Sequence, residues 1–182
     1  SWALFVQKPS DLGYSDDGYT LPDLTVTWHR IAADHTKAWE LADNKGNVPL
    51  FKDSAASIQQ AIREKRDSLS DRVQKAAEIV AADGPTKHWL IWHHLEDERR
   101  EICRTIPDAV DVYGSQELEQ REQRIVDFSD GKYRILATKP EIAGSGCNFQ
   151  EHCYANIFVG VRYQFEEFIQ AIHRTQRFGQ RH

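Results

Sequence analysis

The 182-residue sequence has the length of one ordinary domain, and its 40% hydrophobic and 10% aromatic residues argue against wholesale disorder. Its 28 acidic residues outnumber its 23 basic ones, which excludes a generally basic nucleic-acid binder and confines any polyanion site to a local patch. The cysteines are odd in number and lack Cys-x-x-Cys spacing, so they indicate neither a disulfide framework nor a zinc site. We expect reduced thiols at Cys103, Cys147 and Cys153. No apolar run reaches about 18 residues and no signal-peptide pattern is present, so no membrane segment is expected.

The first part of the chain is predicted to hold little regular structure before one long helix. Residues 1–23 are punctuated by glycine and proline, and the β-branched content of 24–31 predicts a strand. Apolar residues at spacings of three, four and seven then predict a helix over 53–82. Asp53-Ser54 offers its cap, and Gly84-Pro85 ends it, because glycine takes a left-handed stop and proline forbids continuation.

From residue 87 onward, short apolar runs alternate with helical stretches. Strands are predicted at 88–93, 109–113, 133–137 and 156–160. Helices are predicted at 96–105, at 116–128 with Leu118, Ile125 and Phe128 facing inward, and at 165–177. This alternation predicts βαβ units and an α/β fold whose mostly parallel central sheet is covered on both faces. In such sheets, ligands collect at the carboxyl ends of the strands.

The last fifteen residues contain the most informative motif. Arg174 and Arg177 lie three residues apart, behind Gln170 and ahead of Phe-Gly-Gln, and are predicted to form one positively charged helix face. The guanidinium is permanently charged and matches phosphate oxygens bidentately, and phosphoryl transfer needs such a group to stabilise charge on the transferred phosphate. The alternative is a basic surface helix held by ion pairs.

A loop over residues 137–150 could also contact phosphate. It follows a predicted strand, and Gly144 and Gly146 let its backbone approach a ligand closely. Thr138 offers a hydroxyl and Lys139 a positive charge. Taken alone, the same pattern also fits a solvated turn with a glycine stop.

Together the two segments resemble motifs of superfamily-2 helicases, in particular Swi/Snf-like translocases of phage and prokaryotic type. The loop resembles the family's Ser-Thr-Lys-Ala-Gly-Gly-x-Gly-x-Asn-Leu, with two extra residues near Pro140-Glu141. The arginine segment resembles Gln-Ala-Ile-Gly-Arg-x-x-Arg-x-Gly-Gln, with His173 in place of the usual glycine. Gly114-Ser115 followed by Arg121 matches the start of a third family pattern. The resemblance covers residues 87–180 well and the earlier residues loosely.

The resemblance implies a RecA-like three-layer sandwich, namely the C-terminal lobe of an ATP-dependent DNA helicase or translocase. Residues 1–52 would form an inter-lobe segment with an edge strand, and residues 53–182 the C-terminal helicase domain. The Walker phosphate loop and the magnesium box are absent from the sequence, so ATP with Mg²⁺ would be held mainly by the N-terminal lobe of the same full-length protein. This chain alone is therefore expected to be inactive. DNA is the expected partner, with RNA as an alternative, in the cytoplasm of a prokaryotic or phage-infected cell.

The resemblance also implies roles for individual residues, with Arg177 as the finger on the γ-phosphate. The catalytic residues are Arg174 and Arg177, the nucleotide-binding residues Gln170, Gly144, Gly146 and Asn148, and the nucleic-acid-binding residues Thr138 and Lys139.

Two other hypotheses stay open at this point. One is a non-catalytic nucleic-acid-binding or regulatory module with the same fold, and the other is a stand-alone enzyme that uses His93 or Cys103. Neither of these two residues has a partner at catalytic spacing in the sequence. No metal site is predicted, because His93 and His94 lie near Glu96 but adjacent strand residues point to opposite faces of a sheet.

Overall fold

The structure, a computed structural model, describes residues 9–15, 17, 21–31, 67–143, 147–160, 165–177 and 180. A short 3-10 helix lies at Pro9–Leu12. The described strands are β1 (His88–Trp92), β2 (Ala109–Val112), β3 (Ile135–Thr138) and β4 (Cys153–Phe158). The described α-helices are α1 (Leu69–Ala82), α2 (Glu96–Thr105), α3 (Leu118–Ser129), α4 (Pro140–Ala143) and α5 (Phe165–Ile172). None of these helices is long and apolar enough to cross a membrane.

The four strands form one parallel sheet in the order β2-β3-β1-β4. In the centre of the sheet, Leu90 lies beside Leu136 of β3 on one side and Asn156 of β4 on the other. Every residue of β3 is buried, as are the last four of β1. Such continuous burial is typical of parallel strands that have helices on both faces.

Helices cover both faces of this sheet. On one face α1 and α2 pack through Val73 and Ile102, which are fully buried. On the other face α3, α4 and α5 pack through Phe128, Ala143 and Ala171. Burial of one such large apolar side chain contributes roughly 1.5–3 kcal/mol, so both layers are held mainly by the hydrophobic effect. The predicted α/β three-layer sandwich is confirmed.

Two helix boundaries follow from local sequence. α1 ends at Ala82, and Gly84 follows with a φ of 80°, a left-handed conformation that glycine adopts without steric cost. α2 covers the predicted span, and its first turn carries Glu96, Asp97 and Glu98, whose charge suits the positive end of a helix. The predicted start of the long helix at residue 53 lies outside the described residues.

Two local predictions are wrong, for different reasons. Residues 24–31 carry no strand, and Leu24, Val26 and Trp28 are exposed. A strand needs a neighbour for its N–H and C=O groups, and β-branched composition alone does not supply one. Leu118 was expected to face inward but is 55% exposed, because it is the first residue of α3 and the packed part of that helix lies further along.

Candidate functional site

The parallel sheet brings the carboxyl ends of its strands to one edge, and part of the predicted site lies there. His93 and His94 follow β1, Thr138 ends β3, Lys139 follows it, and Gly160 comes shortly after β4. The backbone N–H of His93 donates to the carbonyl of Thr138 over 3.1 Å, so pairing between the strands continues past the end of β1. This hydrogen bond fixes the end of β1 relative to the end of β3.

Thr138 and Lys139 are neighbours in sequence but lie in different surroundings. Thr138 is fully buried, and its hydroxyl donates to the carbonyl of Val112 over 3.2 Å. This hydrogen bond connects β3 to β2, and the Thr138 hydroxyl does not face solvent. The side chain of Lys139 is 26% exposed, and its Nζ lies 3.9 Å from Oε1 of Glu96. Of the two, Lys139 is the residue that presents charge at the surface of this edge.

A buried ion pair between Arg72 and Glu98 stabilises the same edge. The carboxylate of Glu98, which is 1% exposed, accepts the backbone N–H groups of His94 at 2.8 Å and Leu95 at 3.1 Å. Arg72 donates to the same carboxylate over 2.9 Å. Burial on its own raises the pKa of Glu98, but these donors outweigh it and hold the pKa below its ordinary value. A β-carbon at Gly160 would lie 2.8 Å from Oε1 of Glu98, so glycine lets the chain after β4 approach the pair.

His93 is buried without such support. Its side chain is fully buried, and neither ring nitrogen has a hydrogen-bond partner among the residues that the structure describes. Burial, which outweighs the attraction of Glu98 for the charged form, lowers the pKa of His93 to about 4. The ring is therefore neutral at physiological pH.

The two arginines of the C-terminal motif lie beyond α5 and not on its face. α5 ends at Ile172, and the backbone N–H groups of Arg174 and Thr175 donate to carbonyls three residues back, which tightens the chain into a turn. The hydroxyl of Thr175 donates to the carbonyl of Ile172 over 3.2 Å and so satisfies the end of the helix. The predicted helix over 165–177 begins where expected but ends at Ile172, so the prediction that both arginines lie on one helix face is wrong.

A series of hydrogen bonds connects this turn to the sheet, and the residues that form it were not predicted from the sequence. Nε1 of Trp92 donates to Oδ1 of Asn156 over 3.0 Å, and Nδ2 of Asn156 donates to the hydroxyl of Thr175 over 2.6 Å. The available signal was an asparagine within an apolar strand and a threonine between two arginines, because buried polar groups need partners. These hydrogen bonds hold the arginine turn against β4 and the end of β1.

The loop motif and the arginine motif meet at a loop–arginine junction formed by Asn148, Phe149, Arg174 and Arg177. The N–H of Phe149 donates to the carbonyl of Arg174 over 3.1 Å. Nη1 of Arg177 donates to Oδ1 of Asn148, which lies 29 residues earlier. Phe149 is 1% exposed, and its ring meets that of Phe128 edge-on at 5.2 Å between centroids. Two segments that were predicted separately are thus in direct contact.

Around this junction, residues of the two motifs lie in different surroundings. Nε of Arg174 is buried without a hydrogen-bond partner in the described part of the chain. Burial raises the pKa of the Cys147 thiol, and the nearby charge of Arg174 partly offsets this. Gln170 is exposed and donates to Glu166 over 3.2 Å along its own helix, and His173 is also exposed. The glycines Gly144 and Gly146 lie outside the described residues.

The junction and the carboxyl edge lie at opposite ends of the sheet. Asn148 and Phe149 precede β4, and Phe128, which packs on Phe149, also contacts the ring of His88 at the start of β1, at 6.5 Å between centroids. Lys139 instead follows the end of β3. The single loop predicted from sequence therefore connects two surfaces, one at each end of the strands.

No protein-family model matches the sequence, and comparison with curated proteins finds no match. Solved structures do match. The chain is similar to the C-terminal part of the Fun30 ATPase domain, with a TM-score of 0.52 and 18% identity over 65% of this chain and 39% of that one. It is similar to the C-terminal domain of the DEAD-box protein Dbp5, with a TM-score of 0.52 and 15% identity over 61% of this chain and 66% of that one. For the Pyrococcus furiosus Hef helicase domain the TM-score is 0.48 at 14% identity, over 66% of this chain and 28% of that one.

The chain spans less than two thirds of the length of each of these structures. At such identities the likeness to Fun30 and Dbp5 is one of fold alone. The chain has the RecA-like α/β fold of a helicase C-terminal lobe.

Proposed function

We propose that this chain is the C-terminal lobe of an ATP-dependent DNA helicase or translocase of superfamily 2, of the Swi/Snf-like, phage or prokaryotic type. The observation that carries the proposal is the loop–arginine junction. Two segments that resemble separate helicase motifs are joined there through Phe149 and Arg174 and through Asn148 and Arg177. The RecA-like fold supports the same function, because in such motors the nucleotide is shared between two lobes of this kind.

The junction has the chemistry that a nucleoside triphosphate requires. Arg174 and Arg177 are permanent cations whose planar forks match phosphate oxygens. The Nε of Arg174 is buried without a hydrogen-bond partner among the described residues, and it would donate to an oxygen anion only if the arginine turn opened. Asn148 holds the guanidinium of Arg177 in place.

In this proposal Arg177 is the finger on the γ-phosphate, and Arg174 is its companion. ATP with Mg²⁺ binds mainly to the N-terminal lobe of the full-length protein, and Gln170, Gly144, Gly146 and Asn148 complete the nucleotide side. The finger stabilises charge that develops on the transferred phosphate.

Lys139 is the proposed contact to a DNA phosphate at the carboxyl edge. Thr138 has a different task from the one expected from sequence, since its buried hydroxyl anchors the strand end that carries Lys139. The loop from Lys139 to Asn148 joins the nucleic-acid side to the nucleotide side. A change at the junction on ATP hydrolysis would therefore pass along this loop to the DNA contact, the usual way in which ligand state is coupled to motion.

The test uses the full-length protein with its N-terminal lobe. Arg177→Ala is expected to lower DNA-stimulated ATP turnover by about 10³-fold or more, the range that arginine fingers contribute. The matched control is Arg100→Ala, which removes the same side chain from an exposed position on α2. Turnover by the control is expected to stay close to that of the wild type.

If Arg177→Ala kept DNA-stimulated turnover within about threefold of wild type, the finger role would be untenable. An equal loss in both variants would trace the effect to general charge and not to the junction.

A further inference from the structure

A second group of side chains at the carboxyl edge has the composition of a metal site. His94 follows β1, Glu141 lies in the first turn of α4, and Glu167 lies in the first turn of α5. One ring nitrogen and two carboxylate oxygens from these residues all lie within 4.8 Å of one another. We call these residues the His–Glu–Glu cluster.

The backbone holds the histidine of this cluster in a defined position. His94 is 8% exposed, and its backbone N–H donates to Oε2 of Glu98 over 2.8 Å. His93 is not part of the cluster. The adjacent histidines thus have separate environments, as the alternation of strand side chains predicts. The carboxylates beside His94 come from two helices and not from the nearby Glu96, which is why sequence spacing did not reveal the group.

The donor set favours a transition-metal ion. Two carboxylates in close proximity repel each other, and a divalent cation between them removes that repulsion. One imidazole with two carboxylates suits Zn²⁺ or Mn²⁺, whereas Mg²⁺ and Ca²⁺ prefer oxygen ligands alone. Donors at about 2.0–2.2 Å from a tetrahedral ion are roughly 3.4 Å apart. Glu141 is exposed and Glu167 half-buried, and metal binding would require their side chains to rotate until their oxygens reach that separation.

We infer that the His–Glu–Glu cluster binds a divalent first-row transition-metal ion, with water completing its coordination. The ion would link the end of β1 to the first turns of α4 and α5. α4 lies within the loop motif, and α5 leads directly into the arginine turn. Metal binding would thus stabilise the relative placement of the two motif segments. It requires neither ATP nor the other lobe, so it stands independently of the proposed function.

The test is a titration of the metal-stripped 182-residue chain with Zn²⁺ and, separately, with Mn²⁺, for which thiols are poor ligands. We expect one ion per chain. Glu141→Gln and Glu167→Gln are each expected to raise the Kd at least tenfold, because each removes a charged ligand while keeping the shape of the side chain. Glu166→Gln is the matched control, since it removes the same charge from the same helical turn at a residue outside the cluster.

Absence of binding of both ions at 1 mM would overturn the inference. So would a Kd that stays within twofold of wild type in both cluster variants, or one that rises equally in Glu166→Gln. Circular dichroism of each variant establishes that it is folded, and Glu141, being exposed, offers a substitution that leaves the core intact.

Discussion

Glu98 and His93 show two ways of burying a titratable side chain at the same edge. Glu98 is charged, and its carboxylate is compensated by two backbone N–H groups and by Arg72. His93 has no hydrogen-bond partner for its ring among the described residues and escapes the cost of a buried charge by staying neutral. Glu98 is therefore stabilised in its charged form, and His93 in its neutral form.

The stability of the protein is expected to fall in mild acid because of His93. The pKa of His93 is about 4 in the folded protein and about 6.5 in the unfolded chain, so the unfolded chain takes up the proton first as the pH falls. The contribution of neutral His93 to stability is complete above pH 6.5 and is lost as the pH drops towards 4. Between pH 7.5 and pH 5 this amounts to about 2 kcal/mol of unfolding free energy.

The measurement compares urea unfolding at the two pH values in wild type and in His93→Gln, which cannot titrate. The variant is expected to lose about 2 kcal/mol less than wild type over this interval, whatever its own stability at pH 7.5. Equal losses in the two proteins would show that His93 does not carry the pH dependence.

At the scale of elements, boundaries set by local sequence were predictable and those set by distant partners were not. α2 matches its prediction because its acidic first turn is a local signal. α5 ends early because Thr175 bonds to Asn156, which belongs to another element. The start of α3 is an exception, because it lies two residues later than predicted although the contact that fixes the preceding turn is local: the side chain of Gln116 accepts the N–H of Tyr113 over 3.1 Å.

The same distinction holds for the candidate site. Motif spacing identified Asn148, Arg174 and Arg177, but not that Asn148 contacts Arg177, because that contact depends on how α5 ends. The His–Glu–Glu cluster escaped sequence analysis for a related reason. Its members come from three elements, and no spacing along one element brings them together.

The link between β4 and the arginine turn is expected to matter for stability. Thr175→Val keeps the shape of the side chain but removes the hydroxyl, which leaves Nδ2 of Asn156 without its partner. A fully buried unsatisfied donor costs about 1–3 kcal/mol, and because Asn156 is half-buried we expect the unfolding free energy to fall by about 1 kcal/mol. Denaturant unfolding measures the change, with Thr105→Val on α2 as the control for the same substitution. A loss no larger than that of the control would mean that the hydrogen bond adds nothing to stability.

At the scale of the whole molecule, the net charge of −5 opposes the approach of a polyanion. The proposed binding of DNA would then rest on local cations, and the attraction of each cation for phosphate depends on which acidic side chains lie beside it. At the carboxyl edge this neighbour is Glu96, whose Oε1 lies 3.9 Å from Nζ of Lys139. Glu96 also pairs with Arg99 over 2.8 Å. In the proposed complex, Glu96 would therefore compete with a DNA phosphate for Lys139.

Substitutions on the two sides of this pair are expected to change DNA affinity in opposite directions in the full-length protein. Lys139→Gln should weaken binding equally across sequences and reduce the slope of log K against log salt by about 1, since one phosphate contact is lost.

Glu96→Gln should strengthen binding a few-fold at low salt, because an exposed pair at this separation is worth on the order of 1 kcal/mol. Asp97→Asn removes the same charge from the next residue of α2, which is also exposed and points about 100° away around the helix. Fluorescence anisotropy of labelled DNA at several KCl concentrations measures the affinity of each variant and its dependence on salt. If Glu96→Gln and Asp97→Asn raised affinity equally, net charge would govern binding and the local pair with Lys139 would not.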